Sequence, residues 1–361
     1  MTSTLKLTAT TGDPEYLGMR VALDATPLAG PVGGIRRYTA ELSKALTELY
    51  PEDEYALVSD QPYAGKESGP VRGLDRHWWL IGLPRLLRQK SFDVFHGTDF
   101  SVPYLPVRPA VMTVHDLSPW RDSGASDRVR RRTPWLLRLG LATMVITPSQ
   151  AVRSELIESF GLAPEEVVAI PEAAAEHFTP SLEAPPPRPY FLYVGTIEAR
   201  KNVDIAIAAW HELRHSYDVD LVLAGRIREG YPPLPCLPGL RVLGETSEAE
   251  LPYLYTHAIG CLYLSSYEGF GLPVLEAMQC GAPVIAAKQA AICELAGEAC
   301  LLEPPRDTRA VAAAMRNLLL NPELRGELKQ RGLRRAQQFS WRKTAELTRR
   351  VYATAIRRFS G

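Results

Sequence analysis

The chain has 361 residues, and its 41 lysines and arginines are matched by 41 aspartates and glutamates. A net charge of zero argues against nucleic acid as a partner, because domains that neutralise phosphate backbones are usually strongly basic. Hydrophobic residues make up 46% of the chain and charged residues 23%, the ordinary composition of a globular protein with full cores. At about 150 residues per domain, the length predicts two domains.

Cysteine usage and the lack of apolar segments favour a cytoplasmic location. The five cysteines form no C-x-x-C pair, which favours reduced thiols over a disulfide framework or a zinc site. Residues 1–18 carry Asp13 and Glu15 and lack the apolar core of a signal peptide. We therefore predict a disordered leader there and a fold that starts at Met19. The sequence contains no run of 18 apolar residues, so no transmembrane helix is expected.

Strands and helices alternate along the whole chain. In the first half, strands are predicted at residues 20–24, 54–59, 92–96, 110–115, 142–147 and 167–170, with helices at about 35–49 and after Ser149 as N-cap. In the second half, strands are predicted at residues 191–194, 221–224, 241–243, 261–264 and 283–287, with helices at 201–215, 248–257 and 272–280. Residues 307–359 form an Arg-rich helical tail with breaks near 321–322 and 340. The alternation predicts βαβ units and mostly parallel sheets.

A proline-rich segment divides this pattern in two. Residues 183–189 contain four prolines, which cannot continue a helix or a central strand. The segment therefore reads as a linker between two doubly wound domains. In such domains ligands bind at the carboxyl ends of the strands, so the cleft between the domains is the expected site. A P-loop, a dinucleotide-binding G-x-G-x-x-G after the first strand and a G-x-S-x-G string are all absent from the sequence.

The most informative motif is the nine-residue string from Glu268 to Glu276. Gly269 and Gly271 allow a tight turn and a close approach of the backbone to a ligand, and Pro273 suits the first turn of a helix. Free amides at such a helix start can bind an anion such as a diphosphate, and the glutamates can accept hydrogen bonds from sugar hydroxyls. Either glutamate alone is equally well explained as an acidic residue near a helix N-terminus. The whole string favours a ligand site.

A second motif runs from Gly195 to Asn202, after the first strand of the second half. Arg200 and Lys201 are candidates to bind a phosphate through charge-assisted hydrogen bonds. Cations at a helix start oppose the helix dipole, so a bound anion explains them better than a solvated surface does. Arg226, which follows the next strand, is a weaker candidate for the same pocket.

Two further motifs follow strands of the first half. Gly33 and Gly34 precede a helix, where a glycine pair allows the backbone to approach phosphates. His115, followed by Asp116, ends a strand and could orient a sugar hydroxyl or a phosphate. His96 has a similar position. Taken alone, each histidine is better explained as a structural residue, and His115 gains support because the other motifs point to the same cleft.

These motifs occur in the order and spacing of the GT4 family of retaining glycosyltransferases, which the chain resembles from Met19 to its C-terminal helices. The glutamate string is the most specific part of the resemblance. It implies an α/β fold of the GT-B type, with two Rossmann-like, doubly wound domains facing a central cleft. It also implies that the last helix crosses back to the N-terminal domain. We therefore predict an acceptor domain at residues 19–184, a crossing helix at about 341–361 and a nucleotide-sugar donor domain at 185–340.

The resemblance also implies roles for single residues. Glu276 resembles the carboxylate that binds the ribose, and Glu268 the residue that faces the donor sugar hydroxyls near the reaction centre. Arg200 and Lys201 resemble the pair that binds the diphosphate. His115 resembles the histidine near the primary hydroxyl of the donor sugar.

The loop amides and one departure from the family complete this assignment. The amides beside the diphosphate and the sugar correspond to Phe270, Gly271 and Leu272, and Gly33 and Gly34 are also counted as donor-binding. Many relatives have Gly-Arg where this chain has Gly195-Thr196. Thr196 would still line the donor site, but the missing cation must then come from Arg200 or Arg226.

The expected reaction needs no metal and no cofactor. Lys201, an arginine and helix N-termini can stabilise the negative charge that develops on a nucleotide diphosphate as it leaves. Retaining glycosidases use two carboxylates about 5 Å apart, one of them a nucleophile. This sequence offers no assured nucleophile, and the resemblance implies front-face attack, with the leaving phosphate oxygen receiving the acceptor proton.

The substrates are less well defined by the sequence. The string around Arg200 resembles that of several bacterial mannosyl- and rhamnosyltransferases, so GDP-mannose is the first candidate donor. Residues 77–88 and 128–138 mix basic, aromatic and aliphatic side chains, which suits peripheral contact with an anionic bilayer or a core-facing helix with a basic outer face. If these residues contact the membrane, the expected acceptor is a lipid-linked glycan. Two alternative hypotheses for the function are a non-hydrolysing UDP-sugar 2-epimerase of the same architecture and a non-catalytic two-domain sugar-binding protein.

Overall fold

The computed structural model describes residues 18–30, 33–61, 77–121 and 127–360. The predicted leader, apart from Gly18, lies outside these residues. The strands of the first half are β1 Arg20–Asp24, β2 Glu54–Val58, β3 Val94–Gly97, β4 Ala110–Thr113, β5 Met144–Thr147 and β6 Val167–Ala169. The strands of the second half are β7 Tyr190–Val194, β8 Asp220–Ala224, β9 Leu240–Gly244, β10 Gly260–Tyr263, β11 Val284–Ala287 and β12 Leu301–Glu303.

The helices of the described residues alternate with these strands. Those of the first half are α1 Gly34–Leu49, α2 Leu83–Gln89, α3 Ser118–Arg121, α4 Asp127–Arg138 and α5 Gln150–Phe160. Those of the second half are α6 Val203–Arg214, α7 Leu251–His257, α8 Leu272–Gln279, α9 Ala290–Ala296, α10 Thr308–Leu320, α11 Pro322–Ala336 and α12 Trp341–Ser360.

The strands form two six-stranded parallel sheets. Their orders are β2-β1-β3-β4-β5-β6 and β12-β11-β10-β7-β8-β9. The central strands are buried on both faces, as expected for parallel sheets covered by helices. Each sheet therefore separates two apolar clusters, one on either face. The doubly wound α/β architecture predicted from the sequence is confirmed.

Element ends depart from the sequence prediction by a few residues. The helix predicted from Lys201 begins at Val203, because Ala199–Lys201 form a 3₁₀ turn and Asn202 is left-handed with φ of 51°. Asn202 is held in this conformation by its side-chain amide, which donates to the Leu264 carbonyl at 2.7 Å and to the hydroxyl of Ser266 at 2.8 Å. The turn brings the preceding two cations against the end of β10.

The last helix crosses back to the first sheet, as predicted. Trp341, Ala345 and Tyr352 of α12 are buried in the cluster that also contains Val21 of β1 and Leu42 of α1. The prolines of residues 183–189 lie in the segment without helix or strand between β6 and β7. The exact division at residues 184–185 and 340–341 stays a prediction.

Candidate active site

The carboxyl ends of the two sheets meet across a cleft. A Cβ atom placed on Gly269 would lie 1.8 Å from the carbonyl oxygen of His115, so these two loops are in direct contact. The Ser149 hydroxyl, at the start of α5, donates to the Gly269 carbonyl at 2.7 Å. Only glycine at position 269 allows the two loops to come this close, which explains the first glycine of the Glu268 to Glu276 string.

Two helix N-termini, one from each half of the chain, lie close together in this region. A Cβ atom on Gly34 of α1 would lie 3.8 Å from Leu272, the first residue of α8. The N-caps are Gly33 and Gly271, and neither helix has a side-chain cap. Gly271 has φ of 105°, a value that favours glycine. The amides and dipoles of both helices are therefore available to an anion in the cleft.

Glu268 is clamped by the two predicted cations. Arg200 donates to its Oε1 atom at 3.0 Å, and the Lys201 ammonium contacts the same oxygen. Burial would raise the pKa of the Glu268 carboxyl, but Lys201 and Arg200 lower it below its ordinary value. The Glu268 side chain is therefore ionised and fixed at the cleft end of β10.

The same cations are held by further partners. Arg200 also pairs with Glu198 at 2.8 Å, and the Lys201 ammonium lies 5.1 Å from the centre of the Tyr263 ring. Carboxylates raise the pKa of Arg200 although burial opposes this. The sequence motif thus forms a buried charge network of alternating sign.

Glu276 lies in a different environment on α8. It is 2% exposed, its Oε2 accepts a hydrogen bond from the Tyr255 hydroxyl at 3.0 Å, and its Oε1 contacts the Arg37 guanidinium. Arg37 belongs to α1 of the first half and also pairs with Glu248 at 2.7 Å. Burial raises the pKa of the Glu276 carboxyl, although Arg37 opposes the shift.

Both ring nitrogens of His115 are occupied. Nε2 donates to the Thr98 carbonyl at 2.8 Å, and Nδ1 lies 3.2 Å from Oε1 of Glu172. Burial would lower the pKa of His115, but Glu172 raises it above its usual value, which favours the imidazolium. These two contacts fix the orientation of the ring near the cleft.

His96 is a structural residue, as the sequence analysis favoured for either histidine considered alone. Its ring nitrogens lie 2.7 Å from the Tyr352 hydroxyl and 2.8 Å from the Thr113 hydroxyl. Burial lowers the pKa of His96 to about 3, so its ring is neutral. It joins α12 to the first sheet.

The remaining predicted residues line or flank the loops after β7 and β10. Thr196 is half-buried, and its carbonyl accepts a hydrogen bond from the Tyr193 hydroxyl at 2.8 Å. Arg226 is exposed, in a loop that pairs with the Thr196 loop. The Phe270 side chain is buried, with its ring centre 5.9 Å from that of Phe339.

Comparison with known proteins identifies the family. A family model described as Glycosyltransferase Family 4 matches residues 32–174, and one described as Glycosyl transferases group 1 matches residues 175–335. The O-antigen chain mannosyltransferase B of Escherichia coli is 30% identical over 389 residues, covering 92% of this chain and 99% of that protein. The chain belongs to the GT4 family of glycosyltransferases. A D-inositol 3-phosphate glycosyltransferase of Kineococcus radiotolerans is 32% identical, over 78% of this chain and 71% of that protein.

Solved glycosyltransferase structures share the fold. A sucrose-phosphate synthase from Thermosynechococcus elongatus superposes with a TM-score of 0.71 at 19% identity, covering 93% of this chain and 98% of that one. Anabaena Alr3699/HepE in complex with UDP and glucose superposes with a TM-score of 0.69 at 18% identity, covering 93% and 100%. The predicted GT-B fold is confirmed.

Sequence reasoning missed several groups that build the site of this glycosyltransferase. Arg37, Tyr255 and Glu172 contact predicted site residues, yet each is separated from its partner by at least 21 positions. Arg37 could have been found as a cation one turn after the glycine pair. The other two had no signal in the sequence.

A zinc-type motif lies at the end of α6. Residues 211–215 read His-Glu-Leu-Arg-His, the pattern of zinc proteases. The two imidazoles lie with ring centres 4.8 Å apart at the end of α6. A catalytic zinc needs three protein ligands, and among the described residues no group of three His, Cys, Asp or Glu could hold a metal ion.

The described helices also include none that is both long and apolar enough to cross a bilayer.

Proposed function

We propose that this glycosyltransferase moves a hexose from a nucleotide-diphosphate sugar to a glycan or lipid-linked acceptor, with retention and without a metal ion. The observation that supports it most is the pair of neighbouring uncapped helix N-termini, one of which follows the Glu268 turn held by Arg200 and Lys201. Residues 185–340 would bind the donor, and residues 19–184 with α12 would bind the acceptor. The family membership supplies the reaction class.

The buried charged residues of the two motifs in the second half have separate roles in this proposal. Glu276 accepts hydrogen bonds from the ribose hydroxyls, and Glu268 accepts them from the donor sugar. Lys201, Arg200 and the amides of the Gly271 turn stabilise the diphosphate as negative charge grows on it. Arg226, which is exposed, would be the second cation only if the bound diphosphate draws it in, so Arg200 is preferred.

The chemistry follows from the charge distribution. Glu268 is paired with two cations, which makes its carboxylate a poor nucleophile. We therefore infer a front-face reaction. The bond from the anomeric carbon to the leaving phosphate oxygen breaks, the acceptor hydroxyl attacks from the same face, and its proton passes to that phosphate oxygen.

GDP-mannose is the proposed donor. The E. coli relative named above is described as a mannosyltransferase, as are the serotype-specific WbdA proteins, which are 29% identical over 57% of this chain. The purified protein should release GDP from GDP-mannose faster than nucleotide diphosphate from UDP-, dTDP- or ADP-sugars. Glu268→Gln, which preserves shape and removes charge, should lower the rate at least 100-fold.

The outcomes of this experiment separate the alternatives. An isomeric sugar nucleotide without release of nucleotide diphosphate would indicate an epimerase, and binding without turnover would indicate a sugar-binding protein. A product with β linkage would contradict retention. Loss of activity in excess chelator, restored by Mg²⁺ or Mn²⁺, would contradict metal independence.

We also propose peripheral membrane contact through the N-terminal domain. Exposed apolar residues there are Leu80, Ile81, Leu105, Trp135 and Leu139, here called the apolar patch. Its segments are neighbours, because the Tyr104 amide donates to the Trp79 carbonyl at 2.9 Å and the Tyr104 ring lies 6.1 Å from that of Trp135. The same segments carry exposed basic residues at Arg85, Arg88, Arg131 and Arg138. Exposed apolar groups accompanied by cations suit an anionic bilayer surface.

Vesicle co-sedimentation tests this contact. Arg85→Glu with Arg88→Glu should weaken binding to anionic vesicles, and Trp135→Ala with Leu139→Ala should do the same. Arg132 is unsuitable because it bonds the Ser101 hydroxyl and covers the Trp79 ring. Arg309→Glu with Arg316→Glu on exposed positions of α10 is the charge-matched control. Equal binding by all variants would reject membrane contact.

A further inference from the structure

A charged side chain of the first domain reaches into the second at the place proposed for the ribose. Arg37 lies one turn into α1, and its guanidinium contacts Oε1 of Glu276 on α8, 239 positions away in the chain. The remaining nitrogens of the fork donate to Oε1 of Glu248 at 2.7 and 3.3 Å. The guanidinium also lies 5.5 Å from the centre of the Phe178 ring. Its position is therefore set by elements of both halves of the chain.

The carboxylate of Glu276 keeps unused hydrogen-bond acceptor capacity. One oxygen contacts Arg37, and the other accepts the Tyr255 hydroxyl at 3.0 Å. A carboxylate has about four acceptor positions, so two hydrogen bonds leave capacity for a diol. Because both oxygens are anchored from opposite sides, the plane of the carboxylate is fixed.

Without the guanidinium this arrangement would be unfavourable. A carboxylate that is 2% exposed and has a single neutral hydroxyl as donor is costly as an anion, and it takes up a proton instead. A protonated carboxyl has fewer acceptor sites and can turn its hydroxyl toward either side. Arg37 supplies the charge that keeps both oxygens available.

We propose that Arg37 is a positioning residue for the donor, which holds Glu276 ionised and oriented for the ribose diol and thereby makes ribose recognition depend on contact between the two domains. This inference rests on the proposed role of Glu276. Arg37 itself does not touch the sugar or the diphosphate in this account. The competing account, direct binding of the diphosphate by Arg37, predicts a different response to removal of the ribose hydroxyls.

The experiment compares nucleoside diphosphates with their 2′,3′-dideoxy forms. Dissociation constants are measured by calorimetry for GDP and dideoxy-GDP, and for the UDP pair, on wild type and variants. Wild type should prefer the ribo form by about 10-fold or more, since hydrogen bonds to a charged group carry that much affinity. Arg37→Gln should lose most of this preference by weakening the ribo form alone, and Arg37→Lys should retain part of it. Arg37→Gln should add little to Glu276→Gln, because both act on one interaction.

The other outcomes are equally informative. Equal weakening of ribo and dideoxy forms by Arg37→Gln would overturn the inference in favour of a direct phosphate contact, and an unchanged preference would remove any role for Arg37. If wild type binds none of the nucleotides, the proposed function fails instead. Arg349→Gln is the control for loss of an arginine ion pair. It removes a guanidinium that lies outside the cleft and pairs with Asp53 at a distance of 2.7 Å. Circular dichroism of each variant establishes that it is folded.

Discussion

Two buried glutamates of one motif lie eight positions apart and have opposite electrostatic environments. Glu268 has two cations on one oxygen, and its pKa is lowered. Glu276 has one cation and a tyrosine, and burial keeps its pKa raised. A carboxylate whose charge is stabilised by two cations suits the reaction centre. One whose charge depends on a partner suits a binding step.

The sequence predicted residues that share a motif and missed those that meet through folding. Arg200, Lys201 and Glu268 were found because turn glycines and cations at a helix start are local signals. The contact between Arg37 and Glu276 depends on how two sheets face each other, and no local pattern encodes it. The partners of His115 were missed for the same reason, since one of them is a backbone carbonyl.

Asp24 gives a pH-dependent prediction at the end of β1. Burial raises the pKa of its carboxyl to about 7, although the Thr26 amide and hydroxyl donate to it. The folded state thus binds this proton more tightly than the unfolded chain, whose Asp has a pKa of about 4. The contribution of this proton to the free energy of unfolding is fully present below about pH 4, and it is lost as pH rises toward about 7.

Asp24→Asn should therefore raise the free energy of unfolding at about pH 8 by a few kcal/mol. The difference between the folded and unfolded pKa values of Asp24 sets an upper bound of about 4 kcal/mol on this gain. The gain should shrink as pH is lowered to about 5, because Asp24 is then protonated in the folded state. Urea unfolding at both pH values measures this. An equal effect at the two pH values would show that Asp24 is ionised in the folded protein.

Tyr255 gives a prediction about donor binding. Tyr255→Phe removes the hydroxyl that bonds Glu276 and keeps the ring, so we expect the donor KM to rise about 3- to 10-fold while kcat changes little. Steady-state kinetics measure both constants. Tyr253→Phe, on the same helix with its hydroxyl 3.3 Å from the Ala184 carbonyl, is the matched control. A fall in kcat alone would place Glu276 in the chemical step.

Among the elements, the strands were predicted best because buried parallel strands are continuous apolar runs. β12 and α9 were not predicted. β12 has three half-buried residues, and α9 has seven residues, so neither is long enough to show a periodicity. The start of the helix after β7 was also misplaced. The left-handed Asn202 that delays it is stabilised by hydrogen bonds to Leu264 and Ser266 in the loop after β10, which are distant in the sequence.

The turn before α8 gives a prediction for a whole element. Gly269→Ala would place a Cβ atom 1.8 Å from the His115 carbonyl oxygen, and a backbone atom cannot yield without moving a loop. The two domains should then separate at this contact, and activity should fall at least 100-fold while circular dichroism keeps its helical signal. Transferase assays and small-angle scattering measure the two effects.

Gly326→Ala is the control for this substitution. Gly326 lies inside α11, and a Cβ atom there would have open space. Alanine should stabilise this helix by about 0.5–1 kcal/mol and leave activity unchanged. If Gly269→Ala behaves like Gly326→Ala, the loops are not in obligatory contact.

At the scale of the whole molecule, the two domains are joined by more than the linker. Glu294 of α9 accepts hydrogen bonds from the Gln150 and Ala151 amides at the start of α5, at 2.9 and 3.2 Å. The α12 helix completes the first domain from the far end of the chain, and Phe339, just before it, packs against clusters of both domains. The sequence predicted this return through the family resemblance, since the helix pattern alone does not say which sheet receives it.

Removal of α12 tests this dependence. Its side chains fill one face of the first sheet, and the Tyr352 hydroxyl is the partner of Nδ1 of the buried His96. A chain that ends at Ser340 should lose the cooperative unfolding of the N-terminal domain, because an apolar face of that domain becomes exposed to water. Limited proteolysis should then leave a protected fragment that starts near residue 185.

A milder substitution distinguishes packing from hydrogen bonding. Tyr352→Phe keeps the ring and leaves the His96 nitrogen without a partner, which should cost about 1–3 kcal/mol in urea unfolding. The shortened chain should lose far more, because it loses every α12 contact. If both proteins unfold in one transition like wild type, α12 is not part of the N-terminal core, and the domain limits must be drawn without it.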